Sequence, residues 1–161
     1  MQRARTRALT LLIAMLIAAV GSPALAGTQI VIGAAKTGPA GKVSAPISMK
    51  GAPNPSPVVA IQVDVLFPQA ALSAPNCTAA SGVPLAGTRL ITGAANTPPG
   101  KGRLRLLFIN TASLTPMGNG PLATCTFTAA PGTYNLSGMN LGVSDADGNL
   151  LDATICTGGC C

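Results

Sequence analysis

Apolar and polar residues alternate with period two through most of this chain, as they do in strands with one face buried. In residues 42–50, Val43, Ala45, Ile47 and Met49 share one face, while Ser44, Ser48 and the flanking lysines take the other. In residues 59–67, Val59, Ile61, Val63, Val65 and Phe67 are predicted to point inward, with Gln62 and Asp64 outward. Residues 103–108 repeat the pattern with Leu104, Leu106 and Phe108 inward, and residues 122–128 set Ala123, Cys125 and Phe127 against three threonines. Segments 28–35, 87–92, 133–141 and 150–155 read as further, less regular strands. Beyond the N-terminal leader no window holds a helical period for three turns, and residues 68–72 suffice for a single turn. About eight short strands punctuated by Gly and Pro clusters predict an all-β, antiparallel β-sandwich.

The first 26 residues carry a different pattern. Arg3, Arg5 and Arg7 precede an apolar stretch from Ala8 to Val20, and Ala24-Leu25-Ala26 supplies small residues for cleavage. This is the layout of a secretory signal peptide, with too short an apolar run for a membrane span. Its removal predicts a secreted product, extracellular or periplasmic, with no membrane span. The remaining 135 of the 161 residues suit one domain. The leader takes three of ten basic residues with it, leaving seven Lys/Arg against four Asp. Those cations are scattered along the sequence, so the charge reads as a solubility device and not as a nucleic-acid footprint.

The mature chain contains no His, Glu or Trp. General acid–base chemistry therefore lacks its usual carriers, and the expectation is a binding or structural protein with no cofactor. Asp145, Asp147 and Asn149 offer oxygens of the kind calcium takes. However, Gly148 stands fourth in that run and not sixth as in an EF-hand, and Asp-Gly is a strong signal for a tight two-residue hairpin turn. Five cysteines in an exported chain should be largely oxidised. Cys77, in the loop after Leu72, can bridge to Cys125 on the apolar side of its strand. Cys156, Cys160 and Cys161 form a tail, residues 156–161, in which a short bridge and a spare thiol are expected.

Three stretches, VVAIQVDVLFPQAALS (58–73), GRLRLLFIN (102–110) and GPLATCTFTAAPGTYNLSGMNLGVSDADGN (120–149), occur in an order that resembles the cohesin family. The likeness spans most of residues 28–155. It implies a jelly-roll sandwich of about nine strands that binds dockerin modules, which hold polysaccharide-degrading enzymes on scaffolds or cell surfaces. In that family the binding face uses outward residues of the third, fifth, sixth and eighth strands. By alternation these correspond to Gln62, Asp64, Arg103, Arg105, Leu107 and Asn135. The polar pair that many cohesins present on the third strand falls near Ala60 and Gln62, so one member is missing here. Two other readings remain open. A carbohydrate-binding module is one, although sugar platforms use exposed rings and all three Phe are predicted inward. A surface-assembly subunit joined through a strand edge or the Cys tail is the other.

Overall fold

The computed structural model describes residues 27–38, 42–91 and 96–158. The signal-peptide expectation and Cys160 and Cys161 lie outside them. Eleven strands and no helix make up these residues: β1 (Thr28–Ile32), β2 (Ala35–Thr37), β3 (Val43–Lys50), β4 (Ala60–Pro68), β5 (Ser73–Ala79), β6 (Leu85–Ile91), β7 (Lys101–Ile109), β8 (Gly120–Thr128), β9 (Thr133–Tyr134), β10 (Ser137–Ser144) and β11 (Ala153–Thr157). They form two sheets. One runs β11-β1-β3-β8-β5, with β2 and β9 extending from β3; the other is four-stranded, β10-β4-β7-β6. The expected sandwich is present, with small differences in strand count and direction. β11 lies parallel to β1, whereas the other pairs are antiparallel.

The extra strands have local causes. The segment expected as one strand at 28–35 splits into β1 and β2, both paired with β3. Opposite the split is Pro46, which has no N–H to offer on the side where its carbonyl accepts the Gly33 N–H at 2.9 Å. A side chain at Gly33 would also strike the Pro46 ring. The segment at 133–141 likewise divides, β9 joining the larger sheet through β2 and β10 the smaller through β4. β5 went unforeseen because it barely alternates: only Cys77 is buried. Pairing with β8 and the Cys77–Cys125 disulfide hold it in place. Cys77 is thus a strand residue directly opposite Cys125, and not part of a loop. The loop at 68–72 is the single turn expected, with the Ala71 and Leu72 N–H groups donating to the Pro68 carbonyl.

Between the sheets lies one apolar core. Val43, Ala45, Ile47 and Met49 from β3 meet Ile61, Val63, Val65 and Phe67 from β4, Leu104, Leu106 and Phe108 from β7, and Phe127 from β8. The Phe67 and Phe127 rings pack across the layers with centroids 5.5 Å apart. Phe67 also lies over Gly102, where any Cβ would overlap the ring. The four best-patterned segments of the sequence therefore supply most of the core.

The disulfide joins residues 48 apart in sequence. Closing a loop of that size should contribute roughly 4 kcal/mol by restricting the unfolded chain. Replacing both Cys77 and Cys125 by Ala is expected to lower the urea unfolding free energy by about 3–4 kcal/mol. A change under about 1 kcal/mol would mean that β5 is held by its ladder alone.

Candidate functional site

The outer surface of the four-stranded sheet is built from cross-strand rungs. One rung runs Met139–Asp64–Arg105–Arg89 across β10, β4, β7 and β6. On one side of it lies Ser137–Leu66–Arg103–Ile91, and on the other Gly142–Gln62–Leu107–Gly87. Beyond that, Ser144, Ala60 and Ile109 continue the surface. Gln62, Asp64, Arg103, Arg105 and Leu107 are thereby brought together on neighbouring rungs. Asn135 is not: it is exposed in the link between β9 and β10.

Asp64 departs from the expectation of an outward, accessible residue, because it is 0% exposed. Its carboxylate is enclosed by donors. Arg103 Nε donates to Oδ2 at 2.8 Å, and the same guanidinium forms an ion pair with it. Arg105 donates bidentately, Nε to Oδ1 at 2.7 Å and Nη2 to Oδ2 at 3.0 Å. Asn140 Nδ2 completes the set at 2.8 Å from Oδ2. Burial alone would push the Asp64 pKa up, but the hydrogen bonds from Arg105, Asn140 and Arg103 outweigh it and hold the group below the usual carboxylate value. The Arg105 pKa is raised by the same hydrogen bond seen from its own side. Arg103 is buried, whereas the Arg105 side chain remains 35% exposed.

Asn140 reaches this cluster because β10 bulges. Its register against β4 breaks between Met139 and Gly142, and Asn140 has φ 51°. An extra residue in a bulge turns its side chain away from the regular alternation, and Asn tolerates the left-handed conformation better than most residues. Alternation gave no reason to name Asn140. An Asn interrupting an apolar segment beside glycines, as in Gly138-Met139-Asn140-Leu141-Gly142, is the available signal.

The face thus has a closed part, around Leu66, Asp64 and Arg103, and an open part, around Gln62, Arg105, Leu107 and Arg89. Leu107 is 39% exposed. Its rung ends in Gly87 and Gly142, beside which a Cβ would meet open space.

At the far end of β10, the 145–149 segment is a hairpin loop. The Asp145 N–H donates to the Asn149 carbonyl, so three residues form the tip in place of the expected two, and Gly148 takes φ 83°. The Asp145 carboxylate accepts from the Asp147 and Asn149 N–H groups at 3.0 and 2.9 Å, and from Asn149 Nδ2 at 3.0 Å. The Asn149 side chain leads the causes that lower its pKa. These oxygens serve the turn. Among the described residues no group of three or more His, Cys, Asp or Glu gathers around a metal position. Nor is any helix there long and apolar enough to cross a membrane. Cys156 is buried and disulfide-bonded.

No known family profile matches the sequence, and no curated protein matches it. Solved structures do. The sixth cohesin of scaffoldin B from Acetivibrio cellulolyticus, crystallised in complex with a Cel5 dockerin mutant, aligns with TM-score 0.63 at 15% identity, covering 82% of this chain and 96% of its own. The chain has the cohesin fold. The seventh ScaB type I cohesin from Pseudobacteroides cellulosolvens aligns with TM-score 0.58 at 23% identity, over 82% of this chain and 89% of its own. A non-cellulosomal cohesin from the hyperthermophilic archaeon Archaeoglobus fulgidus gives 0.56 at 14%, over 83% and 88%. Ala60 and Gln62, on β4, lie at the open end of the four-stranded face.

Asp64 links the cluster to acid stability. Its folded pKa lies below the unfolded value of about 3.9, so its contribution is full above that value and is lost as pH falls through the folded pKa. Asp64→Asn should cost about 3 kcal/mol at pH 7 by leaving Arg103 buried without a counter-charge. Urea titrations of both proteins should converge as the pH is lowered below about 4. A gap independent of pH would show that shape, not charge, is what Asp64 supplies.

Proposed function

We propose that this chain is an exported, non-catalytic docking module that binds another protein through the open part of the four-stranded face. The observation that carries this reading is Leu107, an exposed apolar side chain between Gly87 and Gln62 on a rung that ends in glycine at both sides, beside charges already ordered by Asp64. An interface core of this kind, apolar with Arg at its side, costs little side-chain ordering on binding. A partner of dockerin type is supported by neighbours of the same fold, one of which was crystallised with a dockerin. The non-cellulosomal neighbour leaves room for a partner outside cellulose degradation, including surface assembly. Export is supported by the leader composition and by the disulfide.

Carbohydrate binding fits less well. Phe67, Phe108 and Phe127 are buried, and Tyr134, the remaining ring, is half-buried with its hydroxyl donating to the Ala130 carbonyl at 2.9 Å. No aromatic side chain stands on the four-stranded face to stack on a sugar.

The test is a binding measurement between the mature chain and secreted proteins that bear dockerin modules. Leu107→Glu should weaken docking about 30-fold or more, as for loss of an interface anchor worth about 2 kcal/mol, while leaving the melting temperature unchanged. Undiminished docking by this variant would move the interface to another surface.

A further inference from the structure

The charges that look scattered in the sequence converge in the fold. Arg89, Arg103 and Arg105 lie on the outer face of one sheet, with Asp64 as the only acid among them. Arg89 and Arg105 are direct cross-strand partners, which places their Cβ atoms about 4.5–5.5 Å apart. Like charges in that relation destabilise a sheet. Asp64 offsets Arg105 and Arg103, and its ion pairs are with those two and not with Arg89. Its Oδ2 already takes contacts from Arg103, Arg105 and Asn140, and its Oδ1 takes Arg105 Nε. Arg89 is exposed and has no ion pair among the described residues.

Resting on the docking reading above, we infer that Arg89 and Arg105 form a two-guanidinium clamp for a carboxylate of the partner protein, set beside an apolar contact at Leu107. An incoming Asp or Glu would bond to donors that Asp64 leaves unused and would relieve the repulsion between the two arginines. Asp64 fixes the Arg105 end of the clamp in advance through its bidentate pair, so only Arg89 has to be ordered on binding. Charge complementarity therefore selects an acidic partner surface. The adjoining rung of Leu107, Gly87 and Gly142 selects a protein over a charged polysaccharide, because it offers an apolar contact and no ring.

The test uses the full mature chain and two fluorescein-labelled peptides, one built from Glu, Leu and Ala and the other with every Glu replaced by Gln. Fluorescence anisotropy should show the Glu peptide binding at least about tenfold tighter at about 20 mM salt, with most of that advantage lost at about 200 mM as the Debye length shortens. Arg89→Glu should abolish the preference while keeping or raising the melting temperature, because it replaces a like-charge cross-strand pair by an opposite-charge one. Equal affinity for the two peptides, or a Glu preference that survives Arg89→Glu, overturns the clamp. Heparin binding tighter than the Glu peptide and insensitive to Leu107→Ser overturns the protein partner in favour of an anionic polysaccharide. Self-association of the chain alone that disappears in Arg89→Glu overturns it in favour of a second copy. Against a dockerin-bearing protein, loss of docking in Leu107→Glu but not in Arg89→Glu leaves the docking face standing and removes only the carboxylate clamp.

Discussion

A carboxylate taken wholly out of water must be surrounded by donors, and Asp64 organises the outer half of the molecule by meeting that requirement. Three side chains from two strands converge on it. Arg103 and Arg105 come from β7, the neighbour in the ladder, and Asn140 comes from a bulge in β10 on the other side. A regular β10 would not present Asn140 in this way, so the bulge and the ion pair depend on each other. Replacing such a group by a hydrocarbon is often neutral for stability elsewhere. What the cluster visibly supplies is order: the direction of Arg105 and the shape of the surface around it.

That ordering divides one sheet face into two kinds of surface. Around Leu66 and Arg103 the sheet is covered, and around Gln62, Leu107 and Arg89 it is bare. The covered part belongs to folding, and the bare part is the surface on which docking is proposed. The inner face of the same four strands is apolar core, so the sheet serves both purposes through the pleat alone, with alternate residues assigned to each.

Much of this was legible in the residue pattern. Strands such as β3, β4, β7 and β8 bury alternate side chains against the opposite sheet, so their composition carries the period and names the core correctly, Ile61, Val63, Leu106 and Phe127 included. Strands at the margins were harder to read. β5 buries one side chain and β6 none, so neither needs an alternating sequence. The site was half legible for a related reason. Alternation placed Gln62, Arg105 and Leu107 on one face, but it carries no information on depth and left Asp64 looking exposed. It also misassigned Asn135, because the chain changes sheets between β9 and β10. The convergence of Arg89 with Arg105 depends on register between strands, which no spacing along the chain encodes.

The glycines at the two ends of the Leu107 rung have a consequence for how such a module diversifies. Gly87 and Gly142 sit in ordinary strand conformation with empty space where a side chain would project. Substitution there would reshape the rim of the surface without touching the interior or the buried ion pair. On the proposed docking face, descendants of a duplicated copy could therefore drift at these two positions at little risk of unfolding, because they are decoupled from the residues that maintain the scaffold.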